Sequence, residues 1–158
     1  MSKIIFLDHD GVICLRNQWG SRKRSGDLFD NFDDKAIKTL NEILTASGAD
    51  IVCSSDWRIY TDLNNMQKVY QSRGIRGNLI GYTEIFDKIP EESHLPITSL
   101  LASIRTREIN AWLEKHKPEM WVAIDDLPLL VTNFVKTPYP SEGIKQCGVL
   151  EKVMGFLQ

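Results

Sequence analysis

The chain has 158 residues, 42% of them hydrophobic and 25% charged, with a formal net charge of -2 at pH 7. That composition suits one globular domain spanning 1–158, long enough to bury a core, and it gives no global case for a nucleic-acid binder. Cys14, Cys53 and Cys147 form no CxxC pair and the first apolar run is about five residues, too short for a leader or a membrane span, so the chain reads as cytoplasmic.

The run Lys3-Ile4-Ile5-Phe6-Leu7 predicts a strand buried on both faces, as in a parallel sheet. It ends on Asp8-His9-Asp10-Gly11. Two carboxylates this close repel, and burial raises the cost of ionising either. A divalent metal between them is the simplest remedy. The segment from Cys14 to Phe32 has no periodicity and carries Arg16, Arg22, Lys23 and Arg24. It reads either as a solvated loop or as a basic flap at about 14–32 over a polyanionic substrate.

Asp33 or Asp34 can cap a helix with Ala36, Ile37, Leu40, Ile43 and Leu44 on one face and Gly48 past its end. A second buried strand, Asp50 to Cys53, runs into Ser54-Ser55-Asp56-Trp57-Arg58. Leu63, Met66, Val69 and Tyr70 predict a helix stopped by Gly74, and Asn78 to Thr83 a short strand. Residues 83–103 read as loop with at most one helical turn. The spacing then predicts a helix from about Thr106 to His116, ending before Pro118. Met120 to Ile124 is a strong strand finishing on Asp125-Asp126. Asn133 to Lys136 reads as a last short strand, and Leu150, Val153, Met154 and Leu157 as a closing helix.

Strands alternating with helices imply right-handed crossovers and an α/β fold with a doubly wound parallel sheet. Ligands of such sheets bind outside the carboxyl ends of the strands. Asp8/Asp10, Ser54/Ser55 and Asp125/Asp126 each follow a strand at that end, so three distant polar clusters should meet on one edge.

A lone DxDG also opens calcium loops. Such a loop begun at Asp8 would need an oxygen ligand at Val12, glycine where Ile13 stands and glutamate where Trp19 stands, which excludes an EF-hand. His9 should point away from the two aspartates by strand alternation and serve as a packed spacer. His94 and His116 lack ligand spacing. Trp112 and Trp121 fit the core. Trp57 reads as packing more readily than as a stacking platform, and Arg58 as a phosphate contact or a surface salt bridge.

Together these residues resemble a family. FLDHDGV resembles the first motif of the haloacid dehalogenase-like (HAD) phosphohydrolases, IVCSS their second and WVAIDD their fourth, in the family's order. Arg105 best fits the third, a cation at a helix start, with Arg107 and Lys88 as less suitable choices. The SSDWR segment and the EIxxWL helix are similar to small HAD domains of RNA-repair proteins. The resemblance implies a Rossmann-like fold with little or no cap and a magnesium-dependent phosphatase. In it Asp8 is the nucleophile and Asp10 the acid and base, with Gly11 letting the chain turn there. Ser54 and Ser55 would hold the phosphoryl group and Arg105 would stabilise its charge. Magnesium would bind Asp8, the Asp10 carbonyl and Asp125, with Asp126 as second choice.

Asp10 favours phosphoryl transfer over dehalogenation, because a halide leaving group needs no acid. The expected substrate is a phosphomonoester, on a nucleotide or nucleic-acid end given the basic segment and the RNA-repair likeness. Three alternatives stand beside this: a small-metabolite phosphatase, a HAD-fold binding module without turnover, and, less well matched, a phospho-receiver domain.

Overall fold

The computed structural model describes residues 2–15 and 31–158. The basic segment holding Arg16, Arg22, Lys23 and Arg24 therefore lies outside the described residues. Five strands form one parallel sheet: β1 (Lys3–Leu7), β2 (Asp50–Cys53), β3 (Leu79–Tyr82), β4 (Met120–Asp125) and β5 (Phe134–Lys136), in the spatial order β3-β2-β1-β4-β5. Among the described residues four α-helices flank it: α1 (Asp34–Ser47), α2 (Leu63–Ser72), α3 (Ile97–His116) and α4 (Val149–Leu157). This is the Rossmann-like α/β arrangement expected from the alternation of elements.

Strand alternation divides the core in two. Ile5, Leu7, Ile51, Cys53, Val122 and Ile124 pack with α1, α2 and α4. Ile4, Phe6, Val52 and Ala123 face the other way, onto α3 through Ala102 and Ile109, with Trp112 and Trp121 edge-on to Phe6. β1 and β2 are buried on both sides, which is why their sequences lack polar alternation. Asp33 caps α1 by accepting from the Ala36 N–H at 2.8 Å, and Gly48 closes it with φ 69°.

One element departs from expectation. α3 begins at Ile97, nine residues before the predicted start at Thr106, and occupies part of the stretch read as loop. A 3-10 turn at Pro90–Glu92 precedes it. The inward face of α3 mixes polar groups with apolar ones: Arg105, Thr106 and Glu108 are buried beside Ala102 and Ile109, whereas Ile97 and Leu101 are exposed. A reading that looks for an apolar inward stripe misses the start of a helix whose inward stripe is largely polar. Arg105 consequently sits in the body of α3, not just before its start.

Candidate functional site

Strand register builds the site. Leu7 pairs with Cys53 on one side and Ile124 on the other, so the next residues, Asp8, Ser54 and Asp125, stand side by side at the carboxyl ends of three neighbouring strands. The Asp8 N–H donates to the Ile124 carbonyl at 3.2 Å and the Ser54 N–H to the Leu7 carbonyl at 3.1 Å, which fixes their heights. All three residues are buried.

Carboxylate oxygens of Asp8, Asp125 and Asp126 lie within 4.8 Å of one another. Burial, then the Asp125 charge, pushes the Asp8 carboxyl well above its usual range, against the pull of Arg105. Burial and Asp125 likewise raise Asp126 to about 6. One cation already serves the cluster. Arg105 Nη1 is 3.3 Å from Asp8 Oδ1 and 3.0 Å from Asp125 Oδ2, and its Nη2 donates to Asp56 Oδ1 at 3.0 Å. Burial alone would weaken that charge, but Asp8, Asp125 and Asp56 outweigh it and hold the guanidinium protonated. Arg107, two residues on, pairs instead with Glu92 and the Asp87 carbonyl, and Lys88 is exposed.

Asp125 and Asp126 differ in their engagement. Asp125 Oδ2 accepts from Arg105 and its Oδ1 from the Leu127 N–H at 2.9 Å. The Asp126 carboxylate lies against Asp8 and Asp125 and also feels the Arg105 charge. Gly11, at φ 80°, lets Asp126 approach, since a Cβ there would lie 2.6 Å from Asp126 Oδ2. Gly11→Ala should therefore cost at least about 1 kcal/mol from the left-handed backbone alone and push Asp126 away. A thermal melt of the variant equal to that of the wild-type chain would contradict this geometry.

Asp10 lies at the next turn, where the N–H groups of Val12, Ile13 and Cys14 all donate to the His9 carbonyl. Its carboxylate Oδ2 accepts from Trp57 Nε1 at 3.0 Å. Trp57 is thus packing, as expected, and also a donor to Asp10, which its sequence context does not signal. The indole is held against His9 and stacked on Phe32 at 5.5 Å. His9 is a buried spacer bonded to the Tyr70 hydroxyl, and burial lowers its imidazole to about 3, so it stays neutral. Asp10 contributes no side-chain oxygen to the three-carboxylate cluster.

The remaining predicted residues divide sharply. Ser54 Oγ is buried and has no hydrogen-bond partner among the described residues. A buried hydroxyl left bare costs stability, which fits a site that receives a ligand oxygen there. Ser55 Oγ instead accepts from the Trp57 N–H, capping the 3-10 turn Asp56–Ile59. Arg58 is 4% exposed, which corrects the reading of a surface salt bridge. Its guanidinium donates to the carbonyls of Ser54, Ser55, Thr83 and Glu84 and pairs with Glu108 at 2.8 Å. A guanidinium so committed braces the strand ends and has no donor spare for a phosphate. Asp56, which sequence reasoning quoted but assigned no role, is the outer partner of Arg105.

The arrangement can hold a divalent cation on hard oxygen ligands beside a buried carboxylate, an orphaned hydroxyl and a guanidinium. The three crowded carboxylates, two of them with raised pKa, fit a site that such an ion would relieve. Among the described residues no helix is long and apolar enough to cross a membrane.

A family model described as the HAD domain in Swiss Army Knife RNA repair proteins matches residues 4–145. No curated protein and no solved structure matches the chain.

Proposed function

Because the chain belongs to the HAD domain family of Swiss Army Knife RNA repair proteins, we propose that it is a magnesium-dependent phosphomonoesterase acting on nucleotides or nucleic-acid ends. The observation that carries the reading is the juxtaposition of Asp8, Ser54 and Asp125 at adjacent strand ends, with Arg105 of α3 reaching Asp8 and Asp125.

Asp8 attacks phosphorus, and the bond to the leaving oxygen breaks as Asp10 gives that oxygen a proton. The aspartyl phosphate so formed is then attacked by water, whose proton returns to Asp10, and Asp8 is released. Ser54 Oγ donates to a phosphoryl oxygen, and Arg105 balances the charge that builds there. Asp8 and Asp126 are the carboxylates best placed to hold magnesium, with the Asp10 carbonyl, because the oxygens of Asp125 already accept from Arg105 and Leu127. When bound, the ion supplies positive charge that eases approach of a phosphate dianion to the carboxylates.

Trp57 orients Asp10 in this scheme. Trp57→Phe keeps the ring packing and removes the N–H, and should lower kcat roughly tenfold with KM little changed. A purely packing role would move the melting temperature and leave kcat alone.

Metal binding should couple to pH. Asp126 has a folded-state pKa of about 6 against 3.8 for the free group, so the metal-free fold weakens as pH rises through that window. Magnesium needs the ionised form, so its stabilisation should be small at pH 5 and full at pH 7.5. At a hundredfold excess over Kd the gain there should be on the order of 5–10 °C. A gain equal at both pH values would remove Asp126 from the ligand set.

The activity is tested by phosphate release from para-nitrophenyl phosphate and from 3'- and 5'-phosphorylated oligonucleotides, with magnesium and with chelator. Release that survives complete chelation, or none from any phosphomonoester, overturns the reading. Neutralising Arg22, Lys23 and Arg24 should selectively weaken oligonucleotide turnover; equal loss on para-nitrophenyl phosphate would discard the basic-flap role.

A further inference from the structure

Beside Arg105 a cleft of about 150 Å3 is walled by Ile59, Ile85, Phe86, Leu101 and Ile104. Ile59, Ile85 and Leu101 are 54%, 56% and 41% exposed. Single apolar side chains on a surface mean little, but here they converge on one concavity next to a cluster of charges. A wider groove lies over α1 among Ile37, Asn41, Thr45 and Arg76, and shares no residue with the carboxylate site. The small cleft does share residues with it: Arg105 and Asp56 line its edge. One guanidinium therefore spans from the Asp8 carboxylate, at 3.3 Å, to the Asp56 carboxylate, at 3.0 Å.

The wall is fastened in place. The Phe86 N–H donates to Glu108 Oε2 at 2.9 Å, and Arg107 donates to the Asp87 carbonyl at 2.7 Å. The Arg107 guanidinium carbon sits 5.6 Å from the centre of the Phe86 ring. A preformed apolar cleft needs little ordering to accept a ligand. Its polar edge is the Arg105–Asp56 pair, whose outer, solvent-facing member is the carboxylate, and a carboxylate there favours a donor. Asp56 Oδ1 is taken by Arg105, while no hydrogen bond is made by its Oδ2 among the described residues.

We infer that this cleft is a base subsite: it receives the planar nucleobase of the nucleotide whose phosphate lies at Asp8, with Asp56 Oδ2 accepting from the base's exocyclic amino group. The position of the phosphate rests on the phosphomonoesterase reading above. Adenine and cytosine carry the amino donor, whereas uracil presents a carbonyl at the corresponding edge and would face the carboxylate. The cleft has room for one ring system, so discrimination is confined to the terminal nucleotide.

The test compares adenosine, cytidine and uridine monophosphates, as 3' and 5' isomers, with ribose 5-phosphate, in magnesium. Dinucleotides bearing the same ends separate a free nucleotide from a nucleic-acid terminus. Binding is measured in parallel on Asp8→Asn, which holds ligand without turning it over. Adenosine and cytidine monophosphates should exceed both uridine monophosphate and ribose 5-phosphate roughly tenfold in kcat/KM and in affinity. Ile85→Asn with Leu101→Asn, at exposed positions where polar residues cost little stability, should bring that advantage down to about twofold or less. Asp56→Asn, which can present an amide donor, should shift the preference toward uridine.

Phosphate release with no advantage for any base overturns the subsite and leaves the phosphatase standing. A base preference in binding that the double variant removes, with no phosphate released from any substrate, supports the subsite and overturns the phosphatase. No release and no base preference overturn both. Sedimentation showing a wild-type dimer that the double variant dissolves, without any effect on nucleotides, would assign the apolar wall to a second copy of the chain and overturn the subsite.

Discussion

Asp8→Asn is expected to lower kcat by about four orders of magnitude or more, while leaving the metal-free protein as stable as the wild-type chain or more so. An amide of the same shape has no carboxylate to form the aspartyl phosphate. Stability should move the other way because of where Asp8 sits. Its carboxyl is buried among Asp125 and Asp126, which raises its folded-state pKa above the ordinary 3.8. A group that binds its proton more tightly when folded weakens the fold as pH rises through that interval. Replacing it with a neutral amide removes that cost at neutral pH. Phosphate release and thermal melts in chelator decide the matter together. Turnover within tenfold of wild type would sink the nucleophile assignment, and a collapsed melt would show that Asp8 is needed for folding instead.

Arg105→Met should damage both properties. The methionine keeps much of the aliphatic volume but leaves Asp8 and Asp125 buried with no cation between them. Breaking a buried pair in this way costs about 3 kcal/mol, or on the order of 6–12 °C in melting temperature for a chain of this size. The contact to Asp56 adds little to that figure, since the Asp56 side chain is 62% exposed. Loss of the charge facing the phosphoryl group should lower kcat by about 100- to 1,000-fold. The stability deficit should shrink toward pH 5, because protonation of Asp8, whose carboxyl burial already holds above its usual range, relieves the same repulsion, and magnesium should restore part of it at pH 7.5. Arg105→Lys, with one ammonium in place of a planar fork, should fall between the two. A melt unchanged at pH 7.5 would mean that the three charges are not coupled.

Much of this arrangement is readable from the chain, and the reason is local. β1, β2 and β4 are apolar on both faces, so each announces itself, and each ends on polar residues that a parallel sheet must place along one edge. Asp8, Ser54 and Asp125 could be put together on that ground alone. The start of α3 is not legible, because its inward face mixes Arg105, Thr106 and Glu108 with Ala102 and Ile109. Ile97 and Leu101 in its first half are exposed instead, Leu101 on the wall of the small cleft. A functional helix face thus erased the pattern by which helices are recognised.

Arg58 illustrates a second limit. A guanidinium beside the second motif has the chemistry of a phosphate ligand, and its neighbours in sequence do not contradict that. Only the approach of Thr83, Glu84 and Glu108, from residues far along the chain, takes up its donors. Trp57 gained a role by the same means, because the distance from its indole to Asp10 depends on how the 3-10 turn docks against β1.

From the chain alone follow the order of the strands along it, the edge on which the carboxylates gather and the residue types present there. Those follow from hydrophobic period and covalent adjacency, which are properties of short segments. Tertiary structure alone decided which arginine reaches Asp8, that Asp126 stands closer to Gly11 than any side chain there would permit, and that the oxygens of Asp125 are already engaged. Those are outcomes of distances between elements, and distance across a fold is set by packing that no short segment contains. The opening pair of aspartates is accordingly split: Asp8 belongs to the buried cluster with Arg105, and Asp10 is held by Trp57.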